Sequence, residues 1–149
     1  IMRNPVDRVI SYYNMVKRNG TNYPHGRFTK DINLFLNNCW EVNNQMTLYM
    51  AGINCVCSTV VNENIYEMAR ANLKKIKHII FFENYSKNIV KFFLNEYDIV
   101  LFDSDIPNLR QHTYSKKISD EDYKLIMDKN KYDILLYKYA IELYNNKSN

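Results

Sequence analysis

The segment Arg3-Asn4-Pro5-Val6-Asp7-Arg8-Val9-Ile10-Ser11-Tyr12-Tyr13 constrains the fold most. Asn4 suits a helix N-cap, and Pro5 suits the first helical position because the N–H it lacks would be orphaned there. Val6, Val9, Ile10, Tyr13 and Val16 recur at helical spacing, so one face of this helix must be covered by another layer. The preceding Ile1-Met2 reads as the tail of a strand whose beginning is absent. Arg3 precedes the cap and Ser11 sits off the apolar stripe. A guanidinium and a hydroxyl eight residues apart across a strand-to-helix turn can converge on one phosphate. The helix N-terminus would add partial positive charge and free N–H groups. The plainer reading is a capped helix with a surface serine.

With 149 residues the chain is one domain by length, and its 46% hydrophobic content argues for a packed core rather than disorder. A formal charge of +4 is too weak and its basic residues too scattered for a nucleic-acid partner, but it suits an anionic ligand. No stretch approaches the length of a membrane span, and no signal peptide is visible. Of the cysteines, Cys55 and Cys57 are too close to pair comfortably. Either all are buried thiols or Cys39 pairs with one of the others. No histidine lies beside them at a familiar ligand spacing, so no metal is expected. The sequons at Asn19, Asn84 and Asn146 are unsurprising in so asparagine-rich a chain.

The first helix is expected to stop at Asn19-Gly20. A loop holding His25 and Arg27 follows, and Thr29 is a candidate cap for a helix with Ile32, Phe35, Leu36 and Cys39 on its core face. Residues 62–77 and 86–96 read as further helices. Between them Ile79-Ile80-Phe81-Phe82 is β-branched and aromatic, which predicts a short buried strand. An irregular basic segment, 98–117, leads to a helix opened by Ser119-Asp120-Glu121-Asp122. Asn130 is expected to cap the last helix, with Asp133, Leu136, Tyr137, Ala140, Leu143 and Tyr144 on one face. These elements predict an α/β fold: a helix-rich layer with a short parallel sheet.

Arg3-Asn4-Pro5 followed by Arg8 and Ser11-Tyr12-Tyr13 resembles the 3′-phosphate-binding segment of sulfotransferases that use 3′-phosphoadenosine 5′-phosphosulfate (PAPS). Asn44-Gln45-Met46-Thr47-Leu48-Tyr49-Met50-Ala51-Gly52 is similar to a helix motif of the Golgi heparan and uronyl 2-O-sulfotransferases, with Met46 and Leu48 replacing a polar Gln and Arg. Ala69-Arg70-Ala71-Asn72-Leu73 fits the family, whereas Phe81-Phe82-Glu83-Asn84 departs from its Gly-x-Thr-Glu and displaces Glu83 by one residue. Leu109 to Lys117 looks like the basic loop over donor and acceptor. Asp133-x-x-Leu136-Tyr137-x-x-Ala140-x-x-Leu143-Tyr144 resembles the terminal helix.

The resemblance implies that residues 1–149 are the C-terminal part of a P-loop-like sulfotransferase domain, with the phosphosulfate loop and catalytic base upstream of Ile1. Such a piece is not expected to turn over alone. The implied reaction is sulfuryl transfer from PAPS to a glycan hydroxyl, a uronic acid 2-hydroxyl included, without a metal. Arg3, Ser11, Arg110 and Lys117 would bind the donor; Arg110, Thr113 and Lys116 would face the acceptor. Taken by themselves, Arg110 and the two lysines also fit a solvated loop. His25 and His112 invite a catalytic-base reading that the resemblance argues against. Golgi lumen, reached through a missing type II anchor, is the implied location. The alternative is a degenerate, non-catalytic relative that binds anionic glycans or phosphate ligands.

Overall fold

The computed structural model describes residues 1–54, 59–106 and 118–147, and its architecture among these is helical. Helix α1 spans Pro5–Asn19, with the Asn4 side chain accepting from Val6 N and Asp7 N, and Gly20 ending it in the left-handed region (φ 66°). Two 3-10 turns, Gly20–Asn22 and Gly26–Phe28, lead to α2, Ile32–Asn38. Asp31, not Thr29, caps α2; Thr29 is buried and its hydroxyl donates to the Gly26 carbonyl (2.8 Å). A third 3-10 turn, Trp40–Val42, precedes the short α3, Gln45–Met50. The remaining helices are α4, Glu63–Lys74, α5, Tyr85–Tyr97, α6, Asp120–Lys129, and α7, Lys131–Lys147.

The parallel sheet expected from the sequence is not formed: the described residues contain no strand. Residues 1–2 and 80–82 do meet in parallel, but over an isolated bridge between Met2 and Phe81. Met2 N–H donates to the Ile80 carbonyl (2.8 Å) and Phe82 N–H to the Met2 carbonyl (2.7 Å). The pairing cannot continue. Asn4 gives its N–H to the Glu83 carboxylate, Pro5 has none to give, and the other segment enters a 3-10 turn at Phe82. A β-branched, aromatic tetrapeptide therefore supplies core side chains, Phe81 among them, without becoming a strand.

Two groups of buried side chains hold the helices. Val6, Val9, Tyr13 and Val16 of α1 pack with Ile32, Phe35 and Leu36 of α2, with Cys39 and Val42, and with Ile126 of α6. Leu48 of α3, Tyr66, Ala69 and Leu73 of α4, and Leu136 and Ala140 of α7 form the other, joined by Met2 and Phe81. The expected stripe of α2 is buried throughout and those of α1 and α7 for the most part, Tyr144 at the end of α7 remaining exposed. Helix α5 has no buried residue and sits at the periphery.

Candidate functional site

The mouth of α1 is where the sequence reading expects an anion. Its backbone donors are already taken. Val6 and Asp7 N–H go to the Asn4 side chain, Arg8 N–H goes to the Asn4 carbonyl, and Asn4 N–H goes to Glu83 Oε1 at 2.6 Å. The expectation of free N–H groups is therefore corrected: the helix satisfies them from its own cap and from Glu83. What remains for an anion here is side chains. The Arg3 guanidinium lies 4.6 Å from the Phe82 ring centroid in a cation–π contact, and among the described residues it has no hydrogen-bond or ion-pair partner. Ser11 is partly buried about 9 Å farther along the helix axis from Pro5.

Glu83 also ties this mouth to α7, accepting from Tyr137 Oη at 2.9 Å. Burial and the acceptor Glu83 push the Tyr137 hydroxyl above its ordinary pKa. The folded chain then holds that proton at a pH where the unfolded chain releases it. The stability this contributes is present below about pH 10 and is lost as pH rises further. Urea midpoints followed upward from that pH should fall, and they should fall less steeply in Tyr137→Phe. Equal slopes would show that the folded chain does not hold the Tyr137 proton more tightly than the unfolded chain.

Deeper in, segments far apart in sequence meet on one polar cluster. Arg8 reaches from α1 to the carbonyls of Glu41 (3.3 Å) and Val42 (3.1 Å), to Gln45 Oε1 (2.9 Å), and to the carboxylate of Asp133 (3.3 Å). Asp133, fully buried on α7, also accepts from Met46 N (3.1 Å), Thr47 N (2.7 Å) and Thr47 Oγ1 (2.7 Å). It thereby caps α3. In return Asn44, the residue before α3, caps α7: its Oδ1 accepts from Tyr132 N (2.9 Å) and Asp133 N (3.1 Å). The two helices cap each other. Asn130, the expected cap of α7, instead accepts from Asn44 N and donates to the Ile126 carbonyl, closing α6. Burial lowers the Arg8 pKa and raises that of Asp133, and each partner's charge opposes the shift in the other.

A different polar cluster lies beside α1. Glu41 Oε2 meets Tyr12 Oη (2.7 Å), Cys39 Sγ (3.7 Å) and His25 Nε2 (3.4 Å). Cys39 is a buried free thiol, pushed up to about 12 by burial and by the adjacent Glu41 carboxylate. His25, placed in a loop by the sequence, is therefore adjacent to a cysteine 14 residues away.

Of the residues singled out by sequence, Arg3 and Ser11 share α1 and its approach. Arg110, Thr113, Lys116 and Lys117, together with His112, lie outside the described residues, as do Cys55 and Cys57. Met46 and Leu48 contribute apolar packing, Leu48 being buried. Tyr13 is a core aromatic, edge-on to Phe35, and Tyr137 and Tyr144 pack against Phe81. Glu83 and Asp133 carry more of the geometry than the sequence indicated. Neither has a local signature, because their partners are far away along the chain. No described helix is long and apolar enough to cross a membrane. No family model, curated protein or solved structure matches the chain.

Proposed function

We propose that this chain supplies the 3′-phosphate site of a PAPS-dependent carbohydrate sulfotransferase, with Arg3 and Ser11 holding the donor and a glycan as acceptor. The observation that supports this reading most is the guanidinium of Arg3, braced on Phe82 and without an anionic partner among the described residues. Arginine makes strong, directional bonds to phosphate, and a ring beneath it limits its motion without spending its N–H donors. The convergence of three resembling segments through Arg8, Asn44 to Thr47, and Asp133 adds support, since those segments are distant in sequence. Arg110 and Lys117 would complete the donor site, and Thr113 and Lys116 would face the acceptor.

In the reaction itself a general base deprotonates the acceptor hydroxyl, which attacks sulfur while the 5′-phosphate leaves. Positive groups around the donor stabilise the charge that develops there. The share of that work proposed for Arg3 is binding and orientation through the distant 3′-phosphate.

A non-catalytic relative that binds phosphate ligands or anionic glycans is the second reading. Two features favour it. Met46 and Leu48 sit where the family carries polar side chains, and they pack into the core. The Glu83 carboxylate and exposed Asp7 also place negative charge at the α1 mouth.

Calorimetric titration with 3′-phosphoadenosine 5′-phosphate, against 5′-AMP, tests the proposal. The 3′-phosphate compound should bind at least about tenfold more tightly, corresponding to about 1.4 kcal/mol. Arg3→Ala should erase that preference while circular dichroism remains unchanged. Equal binding of both nucleotides, or an unaffected Arg3→Ala variant, would reject the assignment.

A further inference from the structure

We propose that His25, Cys39 and Glu41 form a zinc-binding site, distinct from the α1 mouth, in which each residue contributes one ligand atom. The three ligand atoms lie within 4.8 Å of one another, and they combine nitrogen, sulfur and oxygen. Imidazole, thiolate and carboxylate together are a donor set suited to Zn²⁺.

Two of the three separations, those to Glu41, already fit a tetrahedral ion, and binding would draw His25 and Cys39 toward each other. Zinc–nitrogen and zinc–oxygen bonds near 2.1 Å and a zinc–sulfur bond near 2.3 Å put neighbouring ligand atoms roughly 3.4 Å (N to O) and 3.6 Å (S to O) apart. His25 Nε2 is 3.4 Å from Glu41 Oε2, and Cys39 Sγ is 3.7 Å from the same oxygen. Charge also balances. A thiolate and a carboxylate neutralise a divalent ion, and His25 coordinates as the neutral imidazole. On binding, the Cys39 thiol gives its proton to bulk solvent as the Zn–S bond forms, and a water completes the fourth position.

The surrounding fold holds these groups in place. His25 adopts a left-handed backbone (φ 65°), uncommon for a residue with a side chain. Gly26 follows it so close to the preceding turn that a Cβ there would fall 1.9 Å from the Gly20 carbonyl oxygen. Tyr13 braces the same loop through the Thr29 carbonyl (3.0 Å). Tyr12 Oη donates to Glu41 Oε2 at 2.7 Å, the kind of outer contact that orients a ligating carboxylate. Access is from one side: Cys39 is buried, whereas the His25 and Glu41 side chains are 20% and 31% exposed. The sequence did not reveal this group because a histidine 14 residues before a Cys-x-Glu is no recognised ligand spacing.

The test is a Co²⁺ titration of the chelator-stripped chain, read by optical absorption, followed by competition with Zn²⁺. Cobalt should saturate at one ion per chain with a near-ultraviolet thiolate-to-cobalt band and the visible bands of a tetrahedral ion, and Zn²⁺ should bleach both. Cys39→Ser should abolish the thiolate band, while the double variant Cys55→Ser, Cys57→Ser should keep it. His25→Asn, which suits the left-handed backbone, and Glu41→Gln should each weaken binding at least about tenfold in chains that remain folded by circular dichroism. Absence of the thiolate band would overturn the proposal. So would a band that survives Cys39→Ser, or affinity unchanged in both His25→Asn and Glu41→Gln.

Discussion

Replacing Asp133 by alanine is expected to destabilise the chain by about 3–5 kcal/mol, the largest effect of any polar substitution among the described residues. The carboxylate is fully buried, so its loss leaves Arg8 without its counter-charge and strands the N–H groups of Met46 and Thr47 and the Thr47 hydroxyl. An isolated buried ion pair can often be exchanged for apolar residues without loss. Here that exchange should fail, because Arg8→Met with Asp133→Leu still leaves the first turn of α3 without acceptors. Urea unfolding of both single variants and the double variant separates these contributions. A double variant as stable as the native chain would show that the pair matters only to itself and that the capping of α3 from α7 contributes little.

Asn44→Ala is expected to cost about 1.5–4 kcal/mol, from two separable sources. Its Oδ1 caps α7 and its Nδ2 donates to the Lys129 carbonyl (2.9 Å), and removing such a cap costs about 0.5–2 kcal/mol. Its backbone is left-handed (φ 50°), a conformation asparagine tolerates and alanine resists by about 1–2 kcal/mol. Asn44→Gly removes the cap but keeps the backbone at ease, so it should be the milder variant by about that second amount. If glycine and alanine proved equally harmful, the left-handed conformation would not be a source of cost.

These two residues also mark the limit of what could be read from the sequence. Helix starts at Asn4, Asn62 and Ser119 and the stop at Gly20 were legible because their chemistry is local: a side-chain oxygen next to orphaned N–H groups, or a glycine at positive φ. The faces of α1 and α7 were legible from periodicity. The reciprocal cap was not, because Asn44 and Asp133 are 89 positions apart and each resembles an ordinary polar residue in its own window. Asn130 looked like the cap of α7 and is instead spent on α6 and Asn44.

The strand predicted at 79–82 failed for a related reason. Its composition matches a buried strand, yet becoming one requires a partner of several residues, and Asn4-Pro5 turns the other segment into a helix after one bridge. The proposed anion site could be half anticipated. Arg3 and Ser11 could be named from spacing and Asn4 as the cap, but the hold of the distant Glu83 carboxylate on the Asn4 N–H could not. The predicted phosphate contacts therefore rest on side chains, which makes Arg3 decisive.

Phosphorus NMR of 3′-phosphoadenosine 5′-phosphate titrated with the chain tests that point most directly, because it distinguishes the two phosphates of one ligand. The 3′-phosphate resonance should shift or broaden to saturation, and it should return to its free position when Arg3→Ala replaces the native chain. A spectrum in which the 3′-phosphate stays unmoved, or in which only the 5′-phosphate responds, would contradict the assignment of Arg3 and Ser11 to a 3′-phosphate site.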